Sequence, residues 1–229
     1  AAQFATPTVN GAVAAGEYGT HTDGQNQPAN GGQVWYMTWD DTNLYVGITG
    51  ANRTEAAIIY LDKNPLTPVN GGGNSDGTIV GNLYDSTNFA ELQFRADLVI
   101  YVKHDYREYR TANGSNGWSG QTSAFGSYSD NGGNDREFSI PWSAIGGRPA
   151  SFAWFGYVTS SGGFVYGEIP TENGEGSIGT SARYVRYYTV STTADGSSTK
   201  PFAQNSYVFN SASDISGVGA ISVFDLTMN

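Results

Sequence analysis

Large apolar side chains recur in short runs along the chain, and turn-forming residues separate the runs. At residues 44–49 apolar side chains occupy every second position, which is the period of a half-buried β-strand. Residues 34–39 are aromatic and β-prone, and Asp40-Asp41-Thr42-Asn43 follows them as a tight turn, because short Asx side chains bond back to the backbone. Residues 56–61 are apolar at every position and lead into Asp62. This stretch therefore predicts three consecutive strands, the last buried on both faces.

The same pattern continues toward the C-terminus without helical periodicity over three turns. Pro141 is well placed to open one helical turn after a strand, because its fixed φ suits a first helical position. Further strands are predicted at 78–83, 94–103, 136–140, 152–159, 164–168, 183–190, 207–209 and 220–227, and residues 106–110 continue the strand at 94–103 or its hairpin partner. Roughly ten to twelve short strands with turns between them predict an all-β, two-sheet sandwich of the jelly-roll kind.

The expected domain organisation is a single β-sandwich over residues 1–229. Residues 1–30 carry little apolar content and are expected to form a loosely structured lead-in. Residues 63–82 and 111–134 form long polar loops, and loops of that length are usually functional or mobile.

Composition narrows the functional classes. The chain has no cysteine, so disulfides and thiolate chemistry are excluded. A net charge of -10 disfavours nucleic acid and anionic lipid as partners but suits a calcium ion. No apolar run is long enough to predict a membrane span. The Gly- and Tyr-rich composition is typical of a secreted or cell-surface protein, and the start Ala1-Ala2-Gln3-Phe4 fits a mature chain or an artificial start.

Three motifs together resemble the family 9 carbohydrate-binding modules and the related DOMON-like domains. They are Trp39-Asp40-Asp41 with Leu44-Tyr45-Val46, then Ile59-Tyr60-Leu61-Asp62, then the segment Glu137-Phe138-Ser139-Ile140-Pro141-Trp142-Ser143-Ala144-Ile145. The resemblance runs from about residue 11 to residue 227 and implies the sandwich fold. It also implies sugar binding through loop aromatics and a structural Ca²⁺, although the same fold hosts haem carriers and modules without a known ligand.

Calcium is the expected metal, because carboxylate and amide oxygens cluster after the third strand. The candidate ligands are Asp62, Asn64, Asn70, Asn74 and Asp76. Their spacing differs from that of an EF-hand, and the alternative is a solvated polar loop that binds nothing.

Sugar binding needs an exposed aromatic ring with hydrogen-bonding groups beside it. Trp35, Trp39, Trp142 and Trp154 lie in strand or motif contexts and are expected in the core. Trp118 differs, because its neighbours from 113 to 120 are all small or polar. It is either a ligand platform or an anchor folded back onto the body. The candidate sugar-binding set is Trp118, Tyr106, Tyr109, Asn116 and Gln121, with Tyr128 and Tyr166 as secondary candidates.

Haem and catalysis are the disfavoured alternatives. Haem carriers of the resembled fold use Met and His as axial ligands. Here Met37 lies in a core strand, Met228 lies near the terminus and His21 lies in the lead-in. The remaining candidate ligand is His104.

A glycosidase needs two carboxylates across a cleft. Candidate acids are Glu108, Glu137, Glu168, Glu172 and Glu175, but no hydrolase motif accompanies them.

The sequence thus predicts a non-catalytic, extracellular carbohydrate-binding module with a structural calcium site and a polysaccharide or glycan partner. The alternative is a self-assembling cell-surface, adhesin or fibre subunit built on the same sandwich. In that case residues 1–13 are a candidate strand for donation to the open sheet edge of a neighbouring copy.

Overall fold

The computed structural model describes residues 6–19, 27–82, 89–123, 125–171, 176–177, 181–192 and 202–206. Within them the chain forms one short 3-10 helix and sixteen strands: β1 Ala29–Asn30, β2 Gln33–Trp39, β3 Asn43–Thr49, β4 Ala56–Asp62, β5 Thr78–Asn82, β6 Phe89–Ala96, β7 Leu98–Lys103, β8 Tyr106–Thr111, β9 Tyr128–Asp130, β10 Arg136–Pro141, β11 Ser151–Thr159, β12 Phe164–Ile169, β13 Gly176–Ser177, β14 Ser181–Arg183, β15 Arg186–Ser191 and β16 Phe202–Ser206. The strands predicted at 207–209 and 220–227 lie outside the described residues.

The strands form three sheets. The first has the order β1-β2-β3-β10-β9, and the second has the order β13-β12-β11-β4-β7-β8, with β15 also paired to β11 and β16 to β15. The third sheet is β14-β6-β5, and its β14–β6 pair is parallel, whereas the other pairs between named strands are antiparallel. No helix among the described residues is long and apolar enough to cross a membrane.

The first core lies between the first two sheets and confirms the predicted β-sandwich. Alternate residues of β2 point into it, and Trp35 stacks on Trp154 of β11 with ring centroids 6.2 Å apart. Trp39 and Trp142 are 0% and 2% exposed, so the prediction that both are core residues is confirmed. A pleated strand points successive side chains to opposite faces, which is why residues of one parity along β2 and β3 fill this core.

A second core covers the other face of the second sheet. The third sheet on its far side adds a layer to the predicted two-sheet sandwich. Strand β4 is buried at all seven positions, because Ile59 and Leu61 face the first core while Ile58 and Tyr60 face the second. Residues of β6 close this second core from outside. It is rich in aromatic side chains: Tyr60, Phe94, Tyr101, Phe155, Tyr157, Tyr184 and Tyr187.

The helical turn predicted after β10 forms, but Pro141 is the last residue of β10 and precedes the helix instead of taking its first position. Pro141 is extended and the 3-10 helix Trp142–Ile145 follows it. Gly146 ends the helix in the left-handed region at φ 89°, which glycine adopts without strain. The indole N–H of Trp142 donates to the carbonyl of Asp40 over 3.0 Å, and this ties the turn to the β2–β3 hairpin.

Residues 6–19 differ from the expectation of a loosely structured lead-in. They lie against the outer face of the first sheet, where Tyr18 is only 1% exposed. The carboxylate of Glu137 accepts hydrogen bonds from the amides of Asn10 and Gly11 and from the Tyr18 hydroxyl, at 3.0, 2.8 and 3.1 Å. Gly47 makes this contact possible, because a Cβ there would lie 2.8 Å from the side chain of Val13. This segment therefore packs on its own sheet.

Candidate functional site

The loop at residues 113–118 is fastened to the edge strand β5 by two of the predicted sugar-binding side chains. Asn116 has φ 58°, and its amide oxygen accepts from the amide of Ile79 over 3.1 Å. The indole N–H of Trp118 donates to the carbonyl of Val80 over 2.8 Å. The Trp118 ring is half-buried, with its centroid 6.1 Å from that of Tyr60. These contacts cover backbone groups that an edge strand would otherwise leave open.

This geometry is that of an anchor, which was one of the two alternatives for Trp118. The ring packs against the second core, and its N–H is already occupied by the backbone. The side-chain oxygen of Asn116 is likewise committed to β5. A sugar contact by Trp118 or Asn116 stays a prediction, and it would have to use the remaining exposed part of the indole.

Tyr106 begins β8 and is held as a rigid, solvent-facing ring. It is 39% exposed, and it packs edge-on against the buried ring of Tyr101 at 5.7 Å between centroids. Its hydroxyl donates to Oε2 of Glu108 over 2.6 Å and lies 3.1 Å from Oε1 of Gln121. Arg110 binds the other carboxylate oxygen of Glu108 over 2.9 Å.

A phenol has a single proton, so it cannot donate to both neighbours at once. The carboxylate of Glu108 is the stronger acceptor, because the hydrogen bond is charge-assisted. The amide of Gln121, which is exposed, is therefore available to a ligand that arrives at the Tyr106 ring.

A cleft of about 410 Å³ opens beside this ring. Its size falls within the range of small-molecule sites. On its far wall the guanidinium of Arg107 lies 4.4 Å above the centre of the Tyr128 ring and donates to the carbonyl of His104. Burial and the carboxylate of Asp130, which accepts the Tyr128 hydroxyl, raise the pKa of Tyr128 to about 12. The cleft is lined by Asp105, Tyr106, Arg107, Ser123, Phe125, Gly126 and Tyr128.

The structure thus divides the predicted sugar-binding set into three places. Tyr106 lines the cleft and contacts Gln121, which is not part of the cleft lining, while Trp118 and Asn116 meet at β5. Tyr109 packs against the first core, because it pairs with Ile100 and alternates with Tyr106 and Glu108 along β8. Arg107, Ser123 and Phe125 were not predicted as site residues, because only the fold brings them together at the cleft.

The predicted calcium ligands surround the end of β4. Asp62 is 1% exposed, and its carboxylate accepts the amide of Asn64 over 2.9 Å. Burial, helped by the carboxylates of Asp97 and Asp76, raises the pKa of Asp62 to about 7. Burial also raises the pKa of Asp97, which accepts the amide of Lys63 over 2.8 Å. Asp97 was not predicted, because it follows β6, far from Asp62 along the chain.

Several of these oxygens are already engaged. Asp76 accepts the side-chain amide of Asn64 over 2.6 Å, and the amide oxygen of Asn74 accepts from Arg95 over 3.1 Å. Among the described residues, no three acidic, histidine or cysteine side chains converge closely enough to hold a metal ion. The predicted ligand set does not form a ready-made site, and calcium binding stays a prediction.

Glu108 and Glu137, the two acids that the sequence suggested could approach in space, are both buried and lie on opposite sides of the first core. Glu137 alternates with Phe138 of the first core and so faces outward from the first sheet. Glu108 alternates with Tyr109 and so faces outward from the second sheet. They cannot flank one bond as a glycosidase pair must. Glu168 is buried, and Glu172 and Glu175 lie outside the described residues.

The haem candidates are also scattered. Met37 is 1% exposed within the first core, and His104 lies in the β7–β8 turn, 3.6 Å from Asp105. His21 and Met228 lie outside the described residues. Neither described residue is placed as an axial ligand opposite the other, and haem remains the disfavoured prediction.

No protein-family model matches the chain, and no curated protein sequence matches it. Among solved structures, the fold is similar to a family 9 carbohydrate-binding module from Caldicellulosiruptor kristjanssonii, solved in complex with cellotriose. The two chains are 14% identical, and the match covers 69% of this chain and 75% of the other, with a TM-score of 0.34.

Proposed function

We propose that this protein is a non-catalytic carbohydrate-binding module that acts outside the cell and receives its sugar at the cleft beside Tyr106. The observation that carries the proposal is a rigid aromatic ring, 39% exposed, on the rim of a cleft of about 410 Å³. The resemblance of the Trp39, Asp62 and Trp142 motifs to the family 9 modules points the same way.

The chemistry of the cleft suits a pyranose. Tyr106 offers a flat face to the apolar C–H side of the sugar ring, and its conformation is fixed by Glu108, so little entropy is lost on binding. The exposed polar groups of Asp105 and Ser123 in the cleft lining, and of Gln121 beside the Tyr106 hydroxyl, can bond sugar hydroxyls. The net charge of -10 favours neutral glycans over acidic ones. Such a small contact predicts micromolar to millimolar affinity, about 4–8 kcal/mol.

The test is affinity gel electrophoresis on hydroxyethylcellulose, arabinoxylan, galactomannan and soluble starch, with polygalacturonate as an acidic comparison. We expect at least one neutral polymer to retain the protein. Tyr106→Ala should remove most of that retention, whereas Tyr106→Phe, which keeps the ring, should retain much of it. Leu66→Ala is the control, because Leu66 is also exposed, at 43%, but lies outside the cleft lining.

Retention of Tyr106→Ala equal to that of the wild type, at equal thermal stability, would overturn the assignment of the cleft. Rods or ladders in negative-stain images, with no retention by any polymer, would instead support the self-assembling subunit.

A further inference from the structure

A pair of aromatic rings is exposed on β12. Phe164 is 42% and Tyr166 is 45% exposed, and their ring centroids are 5.0 Å apart with a 55° angle between the planes. They stand two positions apart on one strand and therefore share a face. The cleft at Tyr106 does not involve either residue.

The backbone of β12 presents these rings. Val165, between them, is 1% exposed and packs in the second core, and Gly167 is also buried. The pairing with β11 slips here, since Val158 faces Gly167 and Thr159 faces Val165, which leaves Tyr166 as an extra residue. Such bulges re-aim side chains beside functional sites. The two rings are thus exposed on a strand whose adjacent residues, Val165 and Gly167, are buried.

The β1–β2 turn lies beside the backbone of β12 at Tyr166. Gly31 and Gly32 form that turn with φ values of 58° and 85°, which glycine adopts readily. A Cβ on Gly31 would lie 3.8 Å from the carbonyl oxygen of Tyr166, so the turn passes close to the backbone of the strand that carries the ring pair. Asn30 ties the turn to β12 by donating to the carbonyl of Glu168 over 2.9 Å. The turn therefore adds backbone polar groups next to β12, and its two glycines have no side chains that could cover the rings.

The size of the patch decides what can occupy it. Two aromatic side chains that are a little under half exposed offer roughly 130–220 Å² of surface. A stable protein interface needs about 800 Å² on each partner, so the pair is too small to hold a second copy by itself. Two copies that each carry a net charge of -10 also repel each other. A neutral sugar ring has an apolar face of matching size and no such repulsion.

We propose that Phe164 and Tyr166 form a second contact surface for a neutral polysaccharide. In the sheet order, β11, β4 and β7 separate β12 from β8, so the two strands are about 19 Å apart at ordinary strand spacing. The surface is thus separate from the cleft, and a polysaccharide matrix engages both. This inference rests on the proposed carbohydrate-binding function.

The test compares Phe164→Thr/Tyr166→Thr with Tyr106→Ala and with the combined triple variant, on the same panel of polymers. Threonine removes the rings but keeps β-propensity. Val80→Thr is the matched control, because Val80 is an exposed strand residue, at 37%, on β5, which pairs with neither β8 nor β12. We expect the double variant to melt and elute like the wild type and to lose about tenfold or more of its retention, because one of two attachment points is gone.

The outcomes separate the two proposals. A triple variant no weaker than Tyr106→Ala overturns the second surface and leaves the cleft standing. Loss of retention in the double variant, with Tyr106→Ala unchanged, supports the surface on β12 and overturns the cleft. A wild-type dimer that the double variant converts to monomers assigns the rings to an interface between copies and overturns the inference. A wild type that no polymer retains overturns both.

Discussion

The indole N–H of Trp118 and the carbonyl of Val80 are joined by a 2.8 Å hydrogen bond that fastens a polar loop to an edge strand. Trp118→Ala should therefore destabilise the protein, toward the lower end of the roughly 3–5 kcal/mol typical of a buried Trp, since the ring is half-buried. Trp118→Phe keeps most of the packing and should cost only about 1 kcal/mol for the lost hydrogen bond. Thermal and urea unfolding of both variants measures this.

The same two variants decide between the alternatives for Trp118. An anchor predicts normal polysaccharide retention by the folded variant proteins. Full stability combined with lost retention would show that Trp118 is a ligand platform after all.

The buried carboxylate of Glu137 should hold residues 6–19 on the first sheet. Glu137→Ala removes the acceptor for the amides of Asn10 and Gly11, and hydrogen bonds to a charged group contribute about 1.5–3 kcal/mol each. We expect the segment to detach and become a site of limited proteolysis, with cleavage mapped by mass spectrometry. Glu137→Gln keeps one carbonyl acceptor and should be cleaved more slowly than the alanine variant. Equal protease resistance of Glu137→Ala and the wild type would contradict the anchoring role.

Asp40 should contribute stability that is lost in acid. Burial by itself raises the pKa of Asp40, but hydrogen bonds from the amides of Asn43 and Thr42, both 2.7 Å long, outweigh it and hold the pKa below its usual value. Its contribution is therefore fully present above about pH 4 and disappears as the pH falls through the lowered folded pKa. In Asp40→Asn this part of the pH dependence should be missing.

The measurement is the free energy of unfolding of Asp40→Asn and of the wild type from pH 2 to pH 7. The difference between the two proteins should shrink toward low pH, because both then carry an uncharged side chain at position 40. A difference that does not change with pH would show that the charge at Asp40 contributes nothing.

Calcium should raise the melting temperature if the loop after β4 rearranges to bind it. A site filled at 100 times its dissociation constant adds about 2.7 kcal/mol. Melting is compared in excess Ca²⁺, in excess Mg²⁺ and with EGTA, for the wild type and for Asp62→Asn. Identical curves for the wild type in Ca²⁺ and EGTA would discard the site. If Ca²⁺ raises the melting temperature of Asp62→Asn as much as that of the wild type, the ion binds at a site that does not include Asp62.

Local sequence patterns predicted most of the strands. The Asp40-Asp41-Thr42-Asn43 turn and the alternation after it predict the β2–β3 hairpin, because both the turn chemistry and the strand period act over a few residues. The same holds for the turn at Pro141. The uninterrupted apolar run 56–61 indicates burial on both faces, and the structure confirms it. The pattern did not predict which residues cover the second face of this strand.

The candidate sites depended on contacts that no local pattern encodes. Asp97 reaches Asp62 only because β7, which begins directly after Asp97, pairs with β4 so that Leu98 lies opposite Leu61. The wall of the cleft is built from Arg107 and Tyr128, which belong to strands of different sheets. By itself the sequence determined an acidic, cysteine-free chain of short strands with buried tryptophans, because composition and periodicity are local properties. The tertiary structure alone decided that Trp118 turns inward while Tyr106 stays exposed, because exposure depends on which strand edges and loops the packing brings together.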